Sequence, residues 1–516
     1  MKKKWVTGVM ALFISLSMVL AGCGGSGDKA GETNKDTPKA ANETPDTDKD
    51  NGAQAETPKE PVKFSIFIQG GGGNPPQDKD PIIQQLNKDL NMVMDFNIGV
   101  TEYNQVLTAK ITGGTPPDVF SVNKTLMRQL ADQDLLLDIG KYLDKMPNIK
   151  QAYDEALLNK GKYNGKIYAL DKRPSIPMHT YWIRADWLKK LGLETPKTLE
   201  DFKKVLIAFT ENDPDGNNNK DTYGLTGADL PAFSGIFTAF GVANPGNWMI
   251  VDNKAEYSTV DPRMKDAIAY IADLIKAGAV DPEVLTNQNP NDKAFKGQAG
   301  VIYSNWPSMS VDAKVKIWKE INPNAEWVQL DALEGPGGKF QGTWDVGSSQ
   351  GLIALSKTLE NEPDKLNKVL EYLNYITSPG KGQDTVNYGV EGTHYKVEDG
   401  KIVALPAMGE LGYAYQEQLT GRAEMEYLKI KFANQGPYIE FAMNQPRIPI
   451  YSALIPPPEG VIADDRYEYE ELVKFMYNKR PLAEWDDYIN TLNTKFNIQS
   501  RTEEAAKILK DQGFLK

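Results

Sequence analysis

Short apolar runs alternate with amphipathic stretches along residues 62–122. Apolar residues at alternate positions, rich in Val, Ile and Phe, predict strands, whereas apolar residues at helical spacing predict helices. The predicted strands are VKFSIFI (62–68), VMDFNIGV (93–100) and PPDVFSV (116–122). The predicted helices between them are PIIQQLNKDLNM (81–92) and TEYNQVLTAKITGG (101–114). This order predicts parallel strands joined by helical crossovers, and therefore an α/β fold.

Ligands of such sheets bind beyond the carboxyl ends of the strands. The loops at 69–76 and 121–124 follow two of the predicted strands. Asn74 and Asn123 are therefore candidate ligand-binding residues, on the strength of their position alone.

The N-terminus carries a different apolar pattern. Lys2, Lys3 and Lys4 precede an uncharged run at 5–20, which is shorter than the roughly 20 apolar residues that cross a bilayer. We expect residues 1–22 to be a signal peptide. Leu20-Ala21-Gly22-Cys23 resembles a lipobox, and the alternative is an ordinary signal peptide with a chance cysteine.

Residues 24–61 contain no Leu, Ile, Val, Met or aromatic side chain. Such a segment cannot bury enough apolar surface to order itself, so we expect 23–61 to be a disordered tether. As a flexible coil it would span roughly 35 Å.

Composition and charge narrow the possible functions. The chain has 516 residues, 40% of them hydrophobic, and a formal net charge of −12. This length predicts two or three separate cores. The acidic balance argues against nucleic acid as a partner, because phosphate binding requires a basic face. Cys23 is the one cysteine, so no disulfide can form within the chain.

The stretch DPDGNNNKDTYG (213–224) places oxygen-bearing side chains at every second position, after a predicted amphipathic helix that ends near Asn212. Alternate oxygens suit Ca²⁺, which takes about six to eight oxygen ligands. The EF-hand pattern is only partly met, because Asn218 stands where that loop has Gly and Gly224 where it has Glu. The alternative is a metal-free turn capped by its own side chains.

Catalytic motifs are scarce. The chain has two histidines, and H-E-x-x-H is absent from the sequence. GGGG at 70–73 lacks the Lys of a phosphate-binding loop. We therefore predict that the protein is not an enzyme, although a glycosidase-type carboxylate pair remains open among 70 acidic residues.

Several segments in order carry a family resemblance. They are GTPPDVF (114–120), NGKIYAL (164–170), DWLKKLGL (186–193), LIKAGAVDPE (274–283), FKGQAGVI (295–302) and YGVEGTHYKVEDGK (388–401). Together they resemble the family 1 extracellular solute-binding lipoproteins of Gram-positive ABC importers, and the resemblance extends from Val62 to the C-terminus. Chains of this length are similar to alginate-type and other oligosaccharide binders.

The resemblance implies a type II periplasmic-binding-protein-like fold, with two α/β lobes and a ligand cleft between them. Lobe 1 is expected at 62–183 with roughly 345–400, and lobe 2 at 184–344 with roughly 401–516. The resemblance also implies that Cys23 becomes the lipid-bearing first residue, with acyl chains such as palmitate. The protein would then be anchored to the cell membrane on its extracellular face.

The oxygen-rich loop resembles the calcium loop of alginate-type binders. We expect a structural Ca²⁺ bound by the side chains of Asp213, Asp215, Asn217 and Asp221 and by the backbone carbonyl of Asn219. Those binders often have Glu where this chain has Thr222, so the contribution of Thr222 would be weaker or replaced by water.

A sugar cleft needs aromatic faces and planar polar groups. Trp306 and Trp344 are candidates because each lies beside a predicted strand end or lobe crossing, although core packing is the alternative for both. The resemblance adds Glu391, His394 and Tyr395 from VEGTHY, for which a hairpin with solvated ends is the alternative. Arg173 could pair with a ligand carboxylate.

The prediction is therefore a monomeric, lipid-anchored substrate-binding protein that passes an oligosaccharide to ABC permease subunits. A peptide or another solute is the alternative ligand. A lipid-anchored glycoside hydrolase and a surface adhesion or sensor protein are alternatives from other classes. The sign of charge on the ligand is left open.

Overall fold

The structure is a computed structural model that describes residues 60–172, 176–377, 379–456 and 462–516. The predicted signal peptide, Cys23 and the tether as far as residue 59 lie outside the described residues. Within the described part, no helix is both long and apolar enough to span a membrane.

Strands occur throughout the described residues. Their bounds are β1 (Val62–Gln69), β2 (Met92–Gly99), β3 (Val119–Val122), β4 (Lys162–Tyr163), β5 (Lys166–Ile167), β6 (Ala169–Asp171), β7 (His179–Arg184), β8 (Tyr223–Thr226), β9 (Trp248–Val251), β10 (Lys254–Tyr257), β11 (Ala299–Asn305), β12 (Trp327–Leu330), β13 (Leu333–Gly335), β14 (Gly338–Phe340), β15 (Thr343–Asp345), β16 (Leu352–Leu355), β17 (Tyr395–Glu398), β18 (Lys401–Ala404) and β19 (Ile448–Ile450).

Helices connect and cover the strands. Their bounds are α1 (Pro81–Leu90), α2 (Tyr103–Thr112), α3 (Lys124–Asp132), α4 (Pro147–Ala152), α5 (Glu155–Lys160), α6 (Ala185–Leu191), α7 (Leu199–Glu211), α8 (Ser234–Ala239), α9 (Pro262–Lys276), α10 (Pro290–Phe295), α11 (Trp306–Ser310), α12 (Asp312–Ile321), α13 (Pro363–Thr377), α14 (Lys381–Tyr388), α15 (Glu424–Lys431), α16 (Gly436–Asn444), α17 (Ile462–Met476), α18 (Trp485–Lys495) and α19 (Ile498–Asp511).

The predicted β-α-β-α-β order is confirmed at the start of the described residues. β1 pairs in parallel with β2 and with β3, and α1 and α2 are the crossovers. The first sheet has the order β2-β1-β3-β16-β6, and β16 runs antiparallel to both of its neighbours. β16 comes from a distant part of the chain and pairs with β3, and β6 pairs with the other edge of β16.

Alternation along β1 explains how this sheet is covered. Phe64, Ile66 and Ile68 point into one apolar cluster, and Phe67 points into another on the opposite face. Both faces are therefore buried, as is usual for parallel strands with helical crossovers.

The second sheet has the order β12-β7-β11-β8, and a third has the order β10-β9-β19-β15. β7 shows the same alternation as β1: Tyr181 and Ile183 join one cluster and Trp182 joins another. The chain thus passes from the first sheet to the second between β6 and β7, and returns to the first at β16. The lobe boundaries drawn from the sequence stay a prediction.

Candidate functional site

A cavity of about 560 Å³ opens at the carboxyl ends of the first sheet. Gln69 ends β1, and Ser121 to Lys124 end β3 and begin α3; all of them line this first cavity. Ser452 and Ala453, which follow β19 of the third sheet, close its other side. The first cavity therefore lies where two sheets meet, at the strand ends that the sequence indicated.

A second cavity adjoins the first, and a third adjoins the second. A second cavity of about 630 Å³ is lined mainly by apolar residues, among them Trp306, Met408 and Phe432. A third, of about 600 Å³, is lined by Tyr303, Trp344 and other residues described below. Gln350 lines the first and second cavities, and Ile176 and Met178 line the second and third. We call the three together the groove.

The third cavity combines aromatic faces with hydrogen-bonding groups. Tyr303, Trp344 and Tyr469 line it together with Asn244 and Asn247. The ring of Tyr303 stacks on His179 at a centroid distance of 5.8 Å. Flat apolar faces beside amide groups are the combination that a sugar ring with its hydroxyls requires.

Backbone strain marks one residue of the third cavity. Asp229 has φ 59° and ψ −160°, a conformation that residues other than glycine rarely adopt and that costs about 1–3 kcal/mol. Its Oδ1 accepts hydrogen bonds of 2.8 Å from the Tyr469 hydroxyl and from the Leu230 amide. These bonds hold the strained carboxylate beside the cavity.

Arg447 supplies a cation to the lining of the third cavity. Its Nη2 donates to the His179 carbonyl at 2.7 Å and to the Ala442 carbonyl at 3.1 Å. Its buried Nε has no hydrogen-bond partner among the described residues. Burial, together with the charge of Arg447, lowers the pKa of His179, which is therefore neutral at pH 7.

The first cavity is lined by cations. Lys124 and Arg128 lie four residues apart on α3, and Lys172 follows β6. Lys124 Nζ donates to the Ala453 carbonyl at 2.9 Å. Burial lowers the pKa of Lys124 to about 8, and the positive charge of Arg128 is the second cause.

Three of the predicted ligand residues line the groove. Asn123 lines the first cavity, Trp306 the second and Trp344 the third. Asn123 also caps α3 by accepting a 2.8 Å hydrogen bond from the Leu126 amide. Trp306 is 1% exposed, and its Nε1 has no partner in the described part of the chain. Trp344 is half-buried in β15.

The VEGTHY residues do not line any of the three cavities. His394 is buried, and its Nδ1 accepts a 2.9 Å hydrogen bond from the Val390 amide, which closes the turn. Burial lowers the pKa of His394. Tyr395 packs in the apolar cluster around Tyr388, and Glu391 is exposed. Arg173 lies outside the described residues.

Asn74 is also outside the linings of these cavities. Its Nδ2 donates to Glu417 Oε1 at 3.0 Å, and its Oδ1 accepts from Gln416 Nε2. Gln416 also bonds the backbone of Gly72 in both directions, at 2.9 and 3.3 Å. The glycine-rich loop after β1 is therefore held to a segment more than 300 residues away in the chain, and Asn74 is one of the residues that hold it.

The oxygen-rich loop is capped by its own side chains. Asp213 Oδ1 accepts from the amides of Gly216 and Asn217 at 3.0 and 3.1 Å, and Oδ2 accepts from the Asn218 amide at 3.1 Å. Asn218 has φ 61°, so it adopts the left-handed conformation that the EF-hand pattern assigns to Gly.

Asn217 lies between two carboxylates of this loop. Its Nδ2 donates to Asp215 at 2.8 Å and to Asp221 at 3.2 Å, while its Oδ1 accepts from the Asn219 amide at 2.7 Å. Burial and the neighbouring Asp213 raise the pKa of Asp215. The donor set of carboxylate and amide oxygens has the chemistry that a hard cation requires.

Thr222 faces away from the loop. It is 3% exposed, and its hydroxyl donates to the Phe209 carbonyl at 2.8 Å. In the described part of the chain, no group of three or more His, Cys, Asp or Glu side chains is arranged to hold a metal ion.

Sequence reasoning missed most of the groove. Lys124, Arg128, Lys172, Tyr303 and Arg447 come from four separate segments, and none stands in a motif. A signal was present for two of them, because Lys124 directly follows the candidate Asn123 and Arg128 lies one helical turn further.

The chain is similar to known proteins over most of its length. It is 27% identical to Lipoprotein LipO of Bacillus subtilis (strain 168) over 420 residues, which cover 78% of this chain and 76% of LipO. It is 26% identical to the polygalacturonan/rhamnogalacturonan-binding protein YtcQ of the same organism over 412 residues, 77% of this chain and 76% of YtcQ.

A solved structure has the same fold. The EF-hand mutant of the S. pneumoniae ABC-transporter substrate-binding protein FusA, in complex with fructo-nystose, matches with a TM-score of 0.69 at 19% identity. The match covers 87% of this chain and 99% of that one. The predicted fold class, two α/β lobes with a cleft between them, is thereby confirmed.

The family model described as bacterial extracellular solute-binding protein matches residues 81–383, more than half of the chain. The chain belongs to the bacterial extracellular solute-binding protein family.

Proposed function

We propose that the protein is the substrate-binding protein of an ABC transporter and captures an oligosaccharide in the groove. The observation that carries this proposal is the third cavity, where Tyr303, Trp344 and Tyr469 offer aromatic faces beside Asn244 and Asn247. The three adjoining cavities provide room for several sugar units rather than one.

The relatives support the same ligand class. YtcQ is named as a binder of polygalacturonan and rhamnogalacturonan, and FusA was solved with fructo-nystose. A peptide remains the alternative occupant, since aromatic clefts suit both kinds of ligand.

Ligand contact is proposed for Trp344 by stacking, for Asn123 by its exposed amide, and for Trp306 by its unpartnered Nε1. Glu391, His394 and Tyr395 would reach a ligand only if the VEGTHY turn moved toward the groove on closure. Asn74 would act by holding the loop after β1. Arg173, beside the crossing between β6 and β7, is proposed as a further polar contact.

The mechanism is closure of the two lobes around the ligand. We place lobe 1 at 62–183 with roughly 345–400, and lobe 2 at 184–344 with roughly 401–516. A ligand that touches both lobes binds the closed state better and so shifts the population toward it. The closed form would then dock on permease subunits as a monomer.

The protein would work at the extracellular face of the cell membrane. Cys23 would carry the lipid, and 24–61 would be the tether. LipO, which matches over most of the chain, is itself named a lipoprotein.

We also propose that the loop from Asp213 to Asp221 binds a structural Ca²⁺. A half-turn of the Asn217 amide would direct Oδ1 toward Asp215 and Asp221, where it now directs Nδ2. The named EF-hand of FusA supports a site of this kind in a protein of the same fold. A metal-free turn is the alternative.

The test is thermal unfolding of residues 62–516 with a panel of oligosaccharides and peptides. Ligand at about 100 times its dissociation constant adds about 2.7 kcal/mol of stability. A rise in the unfolding midpoint with sugars, without release of reducing ends, is the expected result. A rise with peptides alone would refute the proposal, and released reducing ends would establish the hydrolase alternative.

A further inference from the structure

The charge of the first cavity differs from that of the protein. The chain carries 70 acidic and 58 basic residues. Of the described residues that line the first cavity, three are basic and none is acidic: Lys124, Arg128 and Lys172. A cavity chosen at random from this surface would be expected to carry more carboxylates than cations.

The other two cavities balance their charges. The second is lined by Asp312 and Glu424 and by Arg422 and Lys431. The third is lined by Asp229 and Arg447. The excess of positive charge is therefore confined to one end of the groove.

The two carboxylates whose charge acts on Lys124 already have donors. Asp171 is fully buried and accepts from Lys160 at 3.0 Å and from Ser349. Asp345 accepts from the Ala453 amide at 2.9 Å and the Gly347 amide at 2.8 Å. Neither forms an ion pair with Lys124 or Arg128 in the described structure.

The position of Lys124 and Arg128 opposes helix stability. Lys124 is the first residue of α3, where the helix dipole disfavours a cation, and Arg128 lies at i+4 on the same face. Lys124 is also held in a partly buried setting that lowers its pKa to about 8. A ligand with negative charge would compensate both of these costs.

We infer that the ligand carries negative charge, as uronate and sulfated oligosaccharides do, and that Lys124, Arg128 and Lys172 receive the anionic group. This inference rests on the proposed function and specifies its substrate class. Arg128 can bind a carboxylate or sulfate through two parallel hydrogen bonds, and the lysines act as compact charges. A neighbouring sugar ring would stack on the aromatic side chains of the third cavity.

The test compares oligogalacturonates and oligomannuronates with their methyl-esterified forms, which keep the sugar backbone and lose the charge. Sulfated and neutral oligosaccharides complete the panel, and binding is measured by calorimetry at two salt concentrations. We expect an acidic oligosaccharide to bind, its neutral form to bind about tenfold or more weakly, and affinity to fall with salt.

Single substitutions test which lining cations bind the acidic group. Lys124→Met and Arg128→Met should each weaken binding of the acidic sugar by about tenfold or more. Arg128→Lys, which keeps the charge, should retain part of the affinity. The matched control is Lys189→Met, an exposed lysine on α6 outside the three linings, which should bind like the wild type. Unfolding midpoints of all variants separate a loss of binding from a loss of fold.

A second readout follows from the protonation of Lys124. At pH 8.5 an anion beside Lys124 raises its pKa, so binding should take up protons, and calorimetry in buffers of different ionisation enthalpy would measure that uptake. Lys124→Met should abolish it.

Equal or tighter binding of the neutral forms, with affinity unchanged in both methionine variants, would overturn the inference and leave the proposed function intact. Binding of no oligosaccharide, acidic or neutral, would overturn both.

Discussion

The carboxyl groups of Asp80 and Glu417 meet in a site where both residues are completely buried. Each has one carboxyl oxygen without another hydrogen-bond partner among the described residues, Oδ2 of Asp80 and Oε2 of Glu417. Burial, and then the charge and hydrogen bond of Asp80, raises the pKa of Glu417 well above its usual range. Glu417 therefore keeps its proton to a higher pH than an ordinary glutamate does, and that proton can bridge to Asp80. Because Glu417 also accepts from Asn74, the pair anchors the loop that follows β1.

Glu417→Gln should raise the free energy of unfolding at pH 7 and reduce its dependence on pH. In the wild type the native state holds a proton that the unfolded state releases above the usual glutamate pKa. The free energy of unfolding is therefore greatest below the usual glutamate pKa. It falls, by at most about 1.4 kcal/mol per pH unit, as the pH rises from there toward the raised native pKa. The Gln amide can donate to Asp80 without titrating.

Urea unfolding between pH 5 and 8 measures this effect. Glu410→Gln is the matched control, since Glu410 is exposed in the same segment. The shared proton would be disproved if Glu417→Gln and the wild type had the same slope of stability against pH.

Calcium should raise the unfolding midpoint, and EDTA should lower it. The physical reason is that a divalent cation would neutralise the repulsion among Asp213, Asp215 and Asp221, which now accept hydrogen bonds from the Asn217 amide and from backbone amides. Asp221→Asn should remove most of the calcium response. Scanning calorimetry with calcium and with EDTA measures it.

Asp331→Asn is the control for the loss of one exposed carboxylate outside the loop. This variant should retain the full response to calcium. A wild-type midpoint that is the same in calcium and in EDTA would leave the loop as a metal-free turn.

Trp344→Ala should weaken oligosaccharide binding while changing stability little. Trp344 is half-buried on the wall of the third cavity, so its loss removes a stacking face worth about 1 kcal/mol, or roughly fivefold in affinity. Trp187→Ala is the contrasting variant. Trp187 is 1% exposed in the core around Phe209, so its truncation should cost about 3–5 kcal/mol of stability.

Calorimetric titration and urea unfolding of both variants separate the two effects. Binding by Trp344→Ala with wild-type affinity would exclude a stacking role for this ring.

Lys124→Met should stabilise the protein at pH 7. The native pKa of about 8 is lower than that of an unfolded lysine, so the unfolded state binds the lysine proton more strongly than the native state does. At pH 7 the charged lysine therefore lowers the stability of the native state. In the wild type, stability should therefore rise as pH increases from about 8 toward the unfolded pKa, and this rise should be absent from the variant. Urea unfolding at pH 7 and pH 10 measures both. A variant less stable than the wild type at pH 7 would show that Lys124 serves the fold.

Local patterns carried the sequence predictions that were confirmed. VKFSIFI alternates in hydrophobicity and became β1, and PIIQQLNKDLNM became α1 with Pro81 in its first turn and Asp80 as its cap. The segment before the oxygen-rich loop became α7, which ends at Glu211, one residue before the predicted end. These features depend on neighbours three or four residues away, which the sequence displays directly.

The candidate site was predicted less completely. Asn123 could be placed at the first cavity because it directly follows a predicted strand. Glu391 and His394 were chosen from a motif, and that motif forms a turn closed by the Val390 amide, outside the three cavity linings. No local pattern could reveal that Gln416 and Glu417 reach the loop after β1, because contact between distant segments depends on the packing of whole elements.

The sequence by itself determined the strands and helices of residues 62–122, the helix before the oxygen-rich loop and, through an ordered set of motifs, the family. Only the tertiary structure decided that β16 enters the first sheet between β3 and β6, and that Lys124, Arg128 and Lys172 share one cavity. The physical reason is the distance along the chain over which the interactions act. Secondary structure follows from hydrogen bonds and side-chain periodicity within a few residues, whereas a binding groove is assembled wherever distant elements pack and leave space between them.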